Sequence, residues 1–391
     1  MSTPALPNEL IMEIIALGAK ELLQEEREAI DCRRRHPLPR VGALAAQFLR
    51  SACLVSRIWR QIAQPLLHDH AIVTKDGVDG FIAQAVRSRR PTRTVRLGHG
   101  VAGNGTCFCT LDRVIKAVGT TIEEVEFVGV GKPTIDASCV MKHSALRSRG
   151  PEYGELTATA EFHHVRVSNQ NRLHLFHLLR VLNSTPPARL TIQESLPPEL
   201  GDPRLQRGDW TELTLLTRYI SSVTRLDVDT VSPITSFYIC RALSGLAPVT
   251  LLLAGLLPPY PLESCRLNFS SQRALLQVEE ELRELPWNWS PFPNVRHVAL
   301  QLALFAMGGE SSVFPPTATS VEILYDSEVG FVYAQKDALK RLAKELAGSK
   351  VIKHAVVAEF WRCDEVEKAC VDAKISLEWA ADGYKWVPGD V

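Results

Sequence analysis

The chain has 391 residues, 46% hydrophobic and 23% charged, which is typical of folded globular proteins and argues against extensive disorder. Its 44 basic and 44 acidic side chains give no net charge, so no general attraction to nucleic acid or to an anionic membrane is expected. Nine cysteines without a disulfide framework, and no signal-peptide pattern at the amino terminus, predict a cytoplasmic or nuclear location. At about 150 residues per domain, the length predicts two or three domains.

The first predicted element is an apolar helix near the amino terminus. Pro7 suits a first helical turn, and it is followed by a broad apolar stripe. Residues 18–48 come next, with an acidic part of helical composition and then a basic part broken by proline. We expect this stretch to be an insertion that extends the first helix and adds a solvated loop. The stripe consists of Leu10, Ile11, Ile14, Ile15 and Leu17.

A second amphipathic stretch spans residues 54–67, and Pro65 is expected to start another turn within it. Together the two stretches predict three short helices with a small core. More apolar surface is present than such a core can bury, and this surplus is what a partner-docking surface requires. The apolar residues of the second stretch are Leu54, Val55, Ile58, Trp59, Ile62, Ala63, Leu66 and Leu67.

Two sequences in this region resemble the halves of an F-box of the fungal type. The first is Leu6-Pro7-Asn8-Glu9-Leu10 followed by paired aliphatic residues. The second is Leu54-Val55-Ser56-Arg57-Ile58-Trp59-Arg60-Gln61-Ile62-Ala63-Gln64-Pro65-Leu66-Leu67. The opening pattern alone is weak, since Leu196-Pro197-Pro198-Glu199-Leu200 also fits it without an apolar stripe behind it. The resemblance covers about residues 5–73, and its second half is the more specific.

The resemblance implies an F-box domain over residues 1–74 that docks onto the small adaptor of an SCF-type, cullin-based ubiquitin ligase. Such a protein is a substrate receptor and not an enzyme. The alternative is that the same helices only cap a repeat domain. The residues that the resemblance places at the adaptor are Leu6, Pro7, Leu10, Ile11, Ile14, Ile15, Leu54, Val55, Trp59, Ile62, Ala63, Leu66 and Leu67.

Residues 75–391 alternate between helical and strand-like segments, which predicts an α/β domain. Clear helical stripes include those at 175–182, 275–285 and 339–346. We expect an irregular α/β solenoid resembling degenerate leucine-rich repeats, although a single doubly wound sheet is an alternative. The nine predicted strands begin near Thr94, Glu124, His164, Arg189, Val223, Val249, Val295, Val321 and Lys353.

Each candidate motif for a cofactor or a metal lacks a feature that such a site requires. Gly98, Gly100 and Gly103 fit a dinucleotide fingerprint, but loop residues follow where a helix is required. Cys107 and Cys109 are spaced too closely for a zinc pair, and the pair His174 and His177 has no further ligand. No catalytic motif is present. We therefore predict no cofactor, no metal and no catalysis.

Two further clusters suggest surfaces for partners. Arginines between Arg87 and Arg96 form a basic cluster, for which a solvated helix end is the simplest reading. Aromatic residues would anchor an interface if exposed, and one such group, in a proline-rich break, is Trp287, Trp289 and Phe292. A second group near the carboxyl end could do the same but is expected mainly to cap the last repeat; it consists of Trp379, Tyr384 and Trp386.

The sequence predicts a receptor that binds a ligase adaptor and a protein substrate whose contact residues are unknown, with neither nucleic acid nor membrane as a partner. Two other functions stay open at this point. One is a stand-alone repeat scaffold without a ligase link. The other is a nucleotide-dependent enzyme that uses the loop at Gly98.

Overall fold

The structure of the protein is a computed structural model, in which the chain divides into two compact units, residues 1–187 and 188–391. The domain boundary predicted after residue 74 therefore falls within the first unit. The residues that the structure describes are 7–31, 43–73, 77–88, 92–98, 113–114, 116–117, 122–128, 163–168, 187–194, 216–217, 219–230, 232–243, 259–284, 287–307, 312–324 and 335–380.

The first unit begins with three consecutive helices. Helix α1 (Asn8–Asp31) runs well past the point where the insertion was predicted, and α2 (Ala43–Val55) begins before that stretch ends. A single residue separates α2 from α3 (Arg57–Asp69). The prediction that Pro65 starts a new turn was wrong, since α3 continues through it. A fourth helix, α4 (Val78–Ser88), follows the first strand.

Four described strands of the first unit are parallel. These are β1 (His70–Val73), β2 (Thr94–Gly98), β3 (Glu124–Val128) and β4 (His164–Ser168). Each pairs with the next strand along the chain, so chain order is also spatial order.

The second unit has seven described strands that are also parallel and paired in chain order. The α/β class is therefore confirmed. The strands are β5 (Arg189–Glu194), β6 (Arg225–Thr230), β7 (Ser264–Phe269), β8 (His297–Gln301), β9 (Ser320–Leu324), β10 (His354–Ala358) and β11 (Ser376–Ala380).

Helices of the second unit follow the strands in sequence, and each packs against the next helix along the chain. Helices that contact their neighbours in this way line one face of the sheet. They are α5 (Pro233–Leu243), α6 (Gln272–Glu284), α7 (Ala303–Met307), α8 (Gln335–Gly348) and α9 (Asp364–Ala373). A short 3-10 helix (Glu359–Trp361) precedes α9.

Eight of the nine predicted strands are present at their predicted places. The strand predicted at Val249 and the helical stripe at 175–182 lie outside the described residues. Strands β1, β7 and β11 were not predicted. Among the helices that the structure describes, none combines the length and the apolar character needed to cross a membrane.

A repeated pair of hydrogen bonds fixes the approach to each strand in the second unit. The N–H groups of Thr224 and Arg225 both donate to Ala188 O, at 2.8 and 3.2 Å. Glu263 and Ser264 donate to Thr224 O in the same way, at 2.8 and 3.1 Å. The next carbonyls to accept such a pair belong to Glu263, Arg296 and Thr319. Successive strands are thus joined by the same local geometry.

Alternation along the strands separates an apolar from a polar face. In β6, Leu226 and Val228 are fully buried, whereas Arg225 and Asp229 on the alternate positions are partly exposed. Because the strand side-chain period is two, the apolar residues share one face and supply the core against the helices. Equivalent core residues on later strands are Leu267, Leu300, Ile323 and Val357.

On the first unit's sheet, one row of alternate positions holds a buried set of charges. Glu126 is 1% exposed, and its Oε2 accepts a hydrogen bond from Arg96 Nε at 2.8 Å. Arg166 Nε lies 3.6 Å from the other carboxylate oxygen. The register pairs Arg96 with Glu126 and Glu126 with Arg166, so the alignment of β2, β3 and β4 brings these charges together.

Replacing Glu126 by Gln should lower the free energy of unfolding by about 3 kcal/mol, because two guanidinium groups would then lose their compensating charge. The matched control is Glu123→Gln, whose side chain is largely exposed and should cost less than about 0.5 kcal/mol. Urea unfolding of the full chain measures both. Equal, small effects of the two substitutions would contradict this account of the buried row.

Candidate functional site

The three amino-terminal helices close around a small apolar core. Ile11, Ile15 and Ala19 line one side of α1 and are buried against α2 and α3. Leu49 and Ala52 of α2 and Ala63 of α3 complete the buried set. Trp59, Ile62, Leu66 and Leu67 are partly buried and pack around it. Helix α1 is therefore held in one rotational setting, with its 11–15–19 side inward.

That setting leaves a second apolar stripe of α1 exposed. Leu10, Ile14 and Leu17 recur at i, i+4 and i+7, so they lie on one face of the helix. Their side chains are 45%, 47% and 50% exposed, although the buried residues Ile11, Ile15 and Ala19 lie one or two positions further along the helix. The apolar side of α1 is thus wider than the bundle covers.

The turn between α2 and α3 exposes a further apolar group. Ser56 caps α3, since its Oγ accepts a hydrogen bond from Trp59 N–H at 3.2 Å. Arg60 Nε donates to Cys53 O at 3.1 Å and so ties α3 to the end of α2. This arrangement leaves Leu54 80% exposed, and Val55 and Ile58 are exposed as well.

We refer to these six side chains as the uncovered apolar residues. Large apolar side chains exposed singly are normal on a protein surface, but groups of them mark interaction surfaces. The uncovered apolar residues are Leu10, Ile14, Leu17, Leu54, Val55 and Ile58.

The structure divides the residues predicted at an adaptor into three groups. Leu10, Ile14, Leu54 and Val55 are exposed, as is Pro7. The buried residues Ile11, Ile15 and Ala63 hold the bundle together and have no free surface to offer a partner. Leu6 lies outside the described residues, and the partly buried group is Trp59, Ile62, Leu66 and Leu67. Leu17 and Ile58 were not in the predicted set, although the helical spacing from Leu10 could have identified Leu17.

A second candidate surface is the polar face of the second unit's sheet. The register aligns Thr191, Asp227, Arg266, Ala299 and Glu322 in one row across β5 to β9. Asp227 Oδ2 accepts a hydrogen bond from Arg189 Nη2 at 2.7 Å and another from Thr191 Oγ1 at 3.3 Å. Although these side chains are polar, Thr191, Asp227 and Glu322 are buried.

Two ionisable groups on this face have perturbed pKa values. Burial lowers the pKa of His297 to about 4, and the nearby positive charges of Arg225, Arg266 and His354 act in the same direction, while Asp227 opposes them. Burial also raises the pKa of Glu322, although Arg266 partly offsets this. His297 Nδ1 lies 3.3 Å from Ser320 Oγ, so the neutral ring is hydrogen-bonded on the next strand.

The predicted loop aromatics of the proline-rich break are not an exposed anchor. Trp287, Trp289 and Phe292 are buried, and Trp289 Nε1 donates to Val313 O at 3.2 Å. The prediction that these three residues anchor a partner was therefore wrong, because their rings pack in the core of the second unit. Trp379 is partly buried with the guanidinium of Arg362 5.7 Å from its ring centre, and Tyr384 and Trp386 lie outside the described residues.

The other sequence clusters give no site in the described part of the chain. Arg96 is committed to its buried ion pair, and Arg93 lies 3.8 Å from Asp69 and 3.9 Å from Glu123, which weakens the basic cluster as a phosphate contact. No group of three or more possible metal ligands occurs among the described residues. Of the dinucleotide fingerprint only Gly98 is described; Gly100, Gly103, Cys107, Cys109, His174 and His177 lie outside the described residues.

Neither a protein-family model nor a curated protein sequence matches the chain. An assignment to the F-box proteins is therefore a proposal. It depends on the residues and the geometry described above.

Two neighbouring isoleucines of α1 provide a matched test of the bundle. Ile15→Ala should lower the free energy of unfolding by about 2 to 5 kcal/mol, because it opens a cavity in a closed core. Ile14→Ala removes a half-exposed side chain and should cost less than about 1 kcal/mol. Chemical denaturation followed by circular dichroism measures both, and equal losses would show that α1 is rotated from the position described.

The stability of the second unit should depend on pH through His297. The pKa of His297 is about 4 in the folded chain against an ordinary 6.5, so between these values the unfolded chain binds more protons. Stability from this group is fully present above pH 6.5 and is lost as the pH falls towards 4. The loss should reach about 3 kcal/mol relative to His297→Gln. Parallel pH profiles of unfolding for the two proteins would contradict this.

Proposed function

We propose that this chain is the substrate receptor of an SCF-type, cullin-based ubiquitin ligase, with the amino-terminal helices as its F-box. The observation that carries the proposal is the set of uncovered apolar residues on a bundle whose core is already closed. Those residues stay 43% to 80% exposed in the described part of the chain, so a partner protein is the natural means of covering them.

The chemistry of these residues suits a helical, apolar partner surface. Leu10, Ile14 and Leu17 form a stripe of the kind that enters a hydrophobic groove, at i, i+4 and i+7. Burying a leucine or isoleucine side chain contributes roughly 1.5 to 3 kcal/mol, so a few of them suffice for a stable complex. The same stripe and the Ser56-capped turn carry the sequence that resembles an F-box.

The second part of the proposal is that the repeating strands and helices form an irregular α/β solenoid similar to degenerate leucine-rich repeats. Chain-order pairing without a switch point and the repeated pair of backbone hydrogen bonds support it. Stacked repeats offer a long surface for a protein substrate, and the polar sheet face is where we place that contact. A cytoplasmic or nuclear location follows from the proposed ligase role.

The alternative function is a repeat scaffold for which the helices are only a cap. It is favoured by the direct passage of α3 into β1, where Asp69 O accepts a hydrogen bond from Arg93 N–H at 3.1 Å. A helical cap also protects the open edge of β1. A cap, however, requires its apolar surface to face the repeats, and it leaves the exposure of Leu54 unexplained.

The test is binding of the purified ligase adaptor to the full chain. Ile14→Asp and Leu54→Asp should each weaken binding at least tenfold, which corresponds to about 1.4 kcal/mol or more. Val86→Asp and Leu276→Asp are matched controls, because these side chains are 61% and 50% exposed on helices outside the bundle. Their affinity should stay within twofold of wild type.

Calorimetric titration measures these affinities, and circular dichroism confirms that each variant is folded. Failure of the wild-type chain to bind the adaptor would exclude the ligase role and leave the scaffold. If all four variants weakened binding alike, the adaptor would have to bind elsewhere.

A further inference from the structure

The outer side of β11 has no neighbouring strand among the described residues. This strand pairs only with β10 and stands last in the strand order. Ser376 N–H donates to Lys353 O, just before β10, at 2.9 Å. In a parallel pair, the backbone groups of every second residue point to the same neighbour, so those of Ser376 and Glu378 point to β10. The N–H and C=O groups of Leu377 and Trp379 therefore point to the outer side.

Those outward backbone groups are unpaired in the described part of the chain, where no hydrogen bond joins them to another segment. Unpaired N–H and C=O groups at a sheet edge are a template for one more strand, which gains backbone hydrogen bonds with them. The side chains show that the edge is open, since Ser376 and Glu378 are exposed. Leu377 and Trp379 are only half-buried. An extended segment can therefore reach this side of β11.

The helix-facing side of this edge keeps apolar surface that no further described strand covers. In register with β11, Ala355 and Val357 of β10 are fully buried. Leu377 and Trp379 are their partners on β11, but they stay partly exposed. Because side chains alternate along a strand, an added segment would place every second residue beside these two. Apolar residues at those positions would extend the core of the unit.

The opposite side of the edge carries a negative charge. Glu378 lies between Leu377 and Trp379 in the chain, and its side chain is 58% exposed. His354 Nε2, on β10, lies 3.9 Å from Glu378 Oε2, which is too long for a hydrogen bond. A lysine or arginine on an added strand would lie directly opposite this carboxylate, and opposite charges in that arrangement stabilise a strand pair.

A second copy of β11 fits this edge poorly. If two copies of the five-residue strand paired antiparallel over their full length, Glu378 of each would lie directly opposite Glu378 of the other. Like charges in that arrangement destabilise a strand pair, and charge on an edge strand is a common safeguard against self-association. We propose that the outer side of β11 binds an extended segment of a partner protein, in which a lysine or arginine is flanked by apolar residues.

This binding surface goes beyond the proposed function. It belongs to the second unit, whereas the uncovered apolar residues belong to the first. It also differs from the polar sheet face, because an added strand is held by backbone hydrogen bonds at the edge. The inference therefore holds or fails whether or not the chain binds a ligase adaptor.

Amide hydrogen exchange on the full chain, followed by NMR, tests the inference. The probe is the peptide acetyl-Ser-Thr-Val-Lys-Val-Thr-Ser-amide, and the matched probe has glutamate in place of lysine. In the free chain the amides of Leu377 and Trp379 should exchange rapidly. The lysine peptide at about 10 mM should slow them about fivefold, as expected for millimolar affinity. The glutamate peptide should bind about threefold more weakly, because its charge is repelled by Glu378.

Two results of this experiment would overturn the inference. One is protection of the Leu377 and Trp379 amides in the free chain, which would mean that another part of the chain or a second copy already covers the edge. The other is unchanged exchange of these amides in the presence of the lysine peptide.

A charge reversal on β11 locates the binding. Glu378→Lys should reverse the preference, so that the glutamate peptide binds about threefold more tightly than the lysine peptide. Glu280→Lys makes the same change at an exposed position on α6 and should keep the wild-type preference. If Glu378→Lys does not fold, Glu378→Gln should make the two peptides bind about equally. An unchanged preference in the folded Glu378 variant would place the peptide elsewhere and sink the inference.

N-methylation of the three central amides of the lysine peptide separates strand addition from binding by charge alone. The modified peptide keeps its side chains and charge but cannot donate those backbone hydrogen bonds. At about 10 mM it should leave the exchange of the Leu377 and Trp379 amides unchanged. Equal slowing by the two lysine peptides would contradict the addition of a strand.

Discussion

The fixed rotation of α1 is the constraint on which the proposed function depends. Ile11, Ile15 and Ala19 must face Leu49, Ala52 and Ala63, because this is the apolar core available to the bundle. Residues one position earlier are turned by about 100°, which places Leu10 and Ile14 towards solvent. Closure of the core and exposure of a binding stripe are therefore two results of the same packing.

The close approach of α1 and α2 reinforces this rotation. A Cβ atom on Gly18 would lie 2.9 Å from the ring of Phe48, so the absence of a side chain lets the aromatic ring pack against the helix backbone. Ser56 and Arg60 then fix the turn that follows α2. The motif that resembles an F-box thus has a local structural explanation: it sets a sharp turn whose apolar residues stay uncovered.

The two faces of the sheet in the second unit are stabilised by different interactions. Helix-facing positions are apolar and close-packed, and they follow the period-two pattern from which most strands were predicted. The opposite face relies on charge and hydrogen bonding between neighbouring strands, as in Arg189 with Asp227. Pairs of this kind link neighbouring strands and so stabilise the sheet.

Local pattern was enough to predict the strands at Thr94, Arg189 and Lys353, since apolar alternation is a property of each segment. It missed β7, in which Ser264, Arg266 and Asn268 alternate with Cys265 and Leu267, because a short strand with polar residues at every second position is weak as an isolated signal. Which apolar residues of α1 are buried could not be predicted either, because that depends on α2 and α3. The buried aromatics at Trp287 show the same limit, since proline-rich sequence indicates a loop but not its packing.

The most direct measurement is covalent footprinting of the full chain, alone and with the purified ligase adaptor. The account predicts that labelling of Leu10, Ile14 and Leu54 falls several-fold in the complex, while Val86 and Leu276 are labelled as before. Unchanged labelling of the first three residues in a saturated complex would contradict the claim that the uncovered apolar residues form the docking surface.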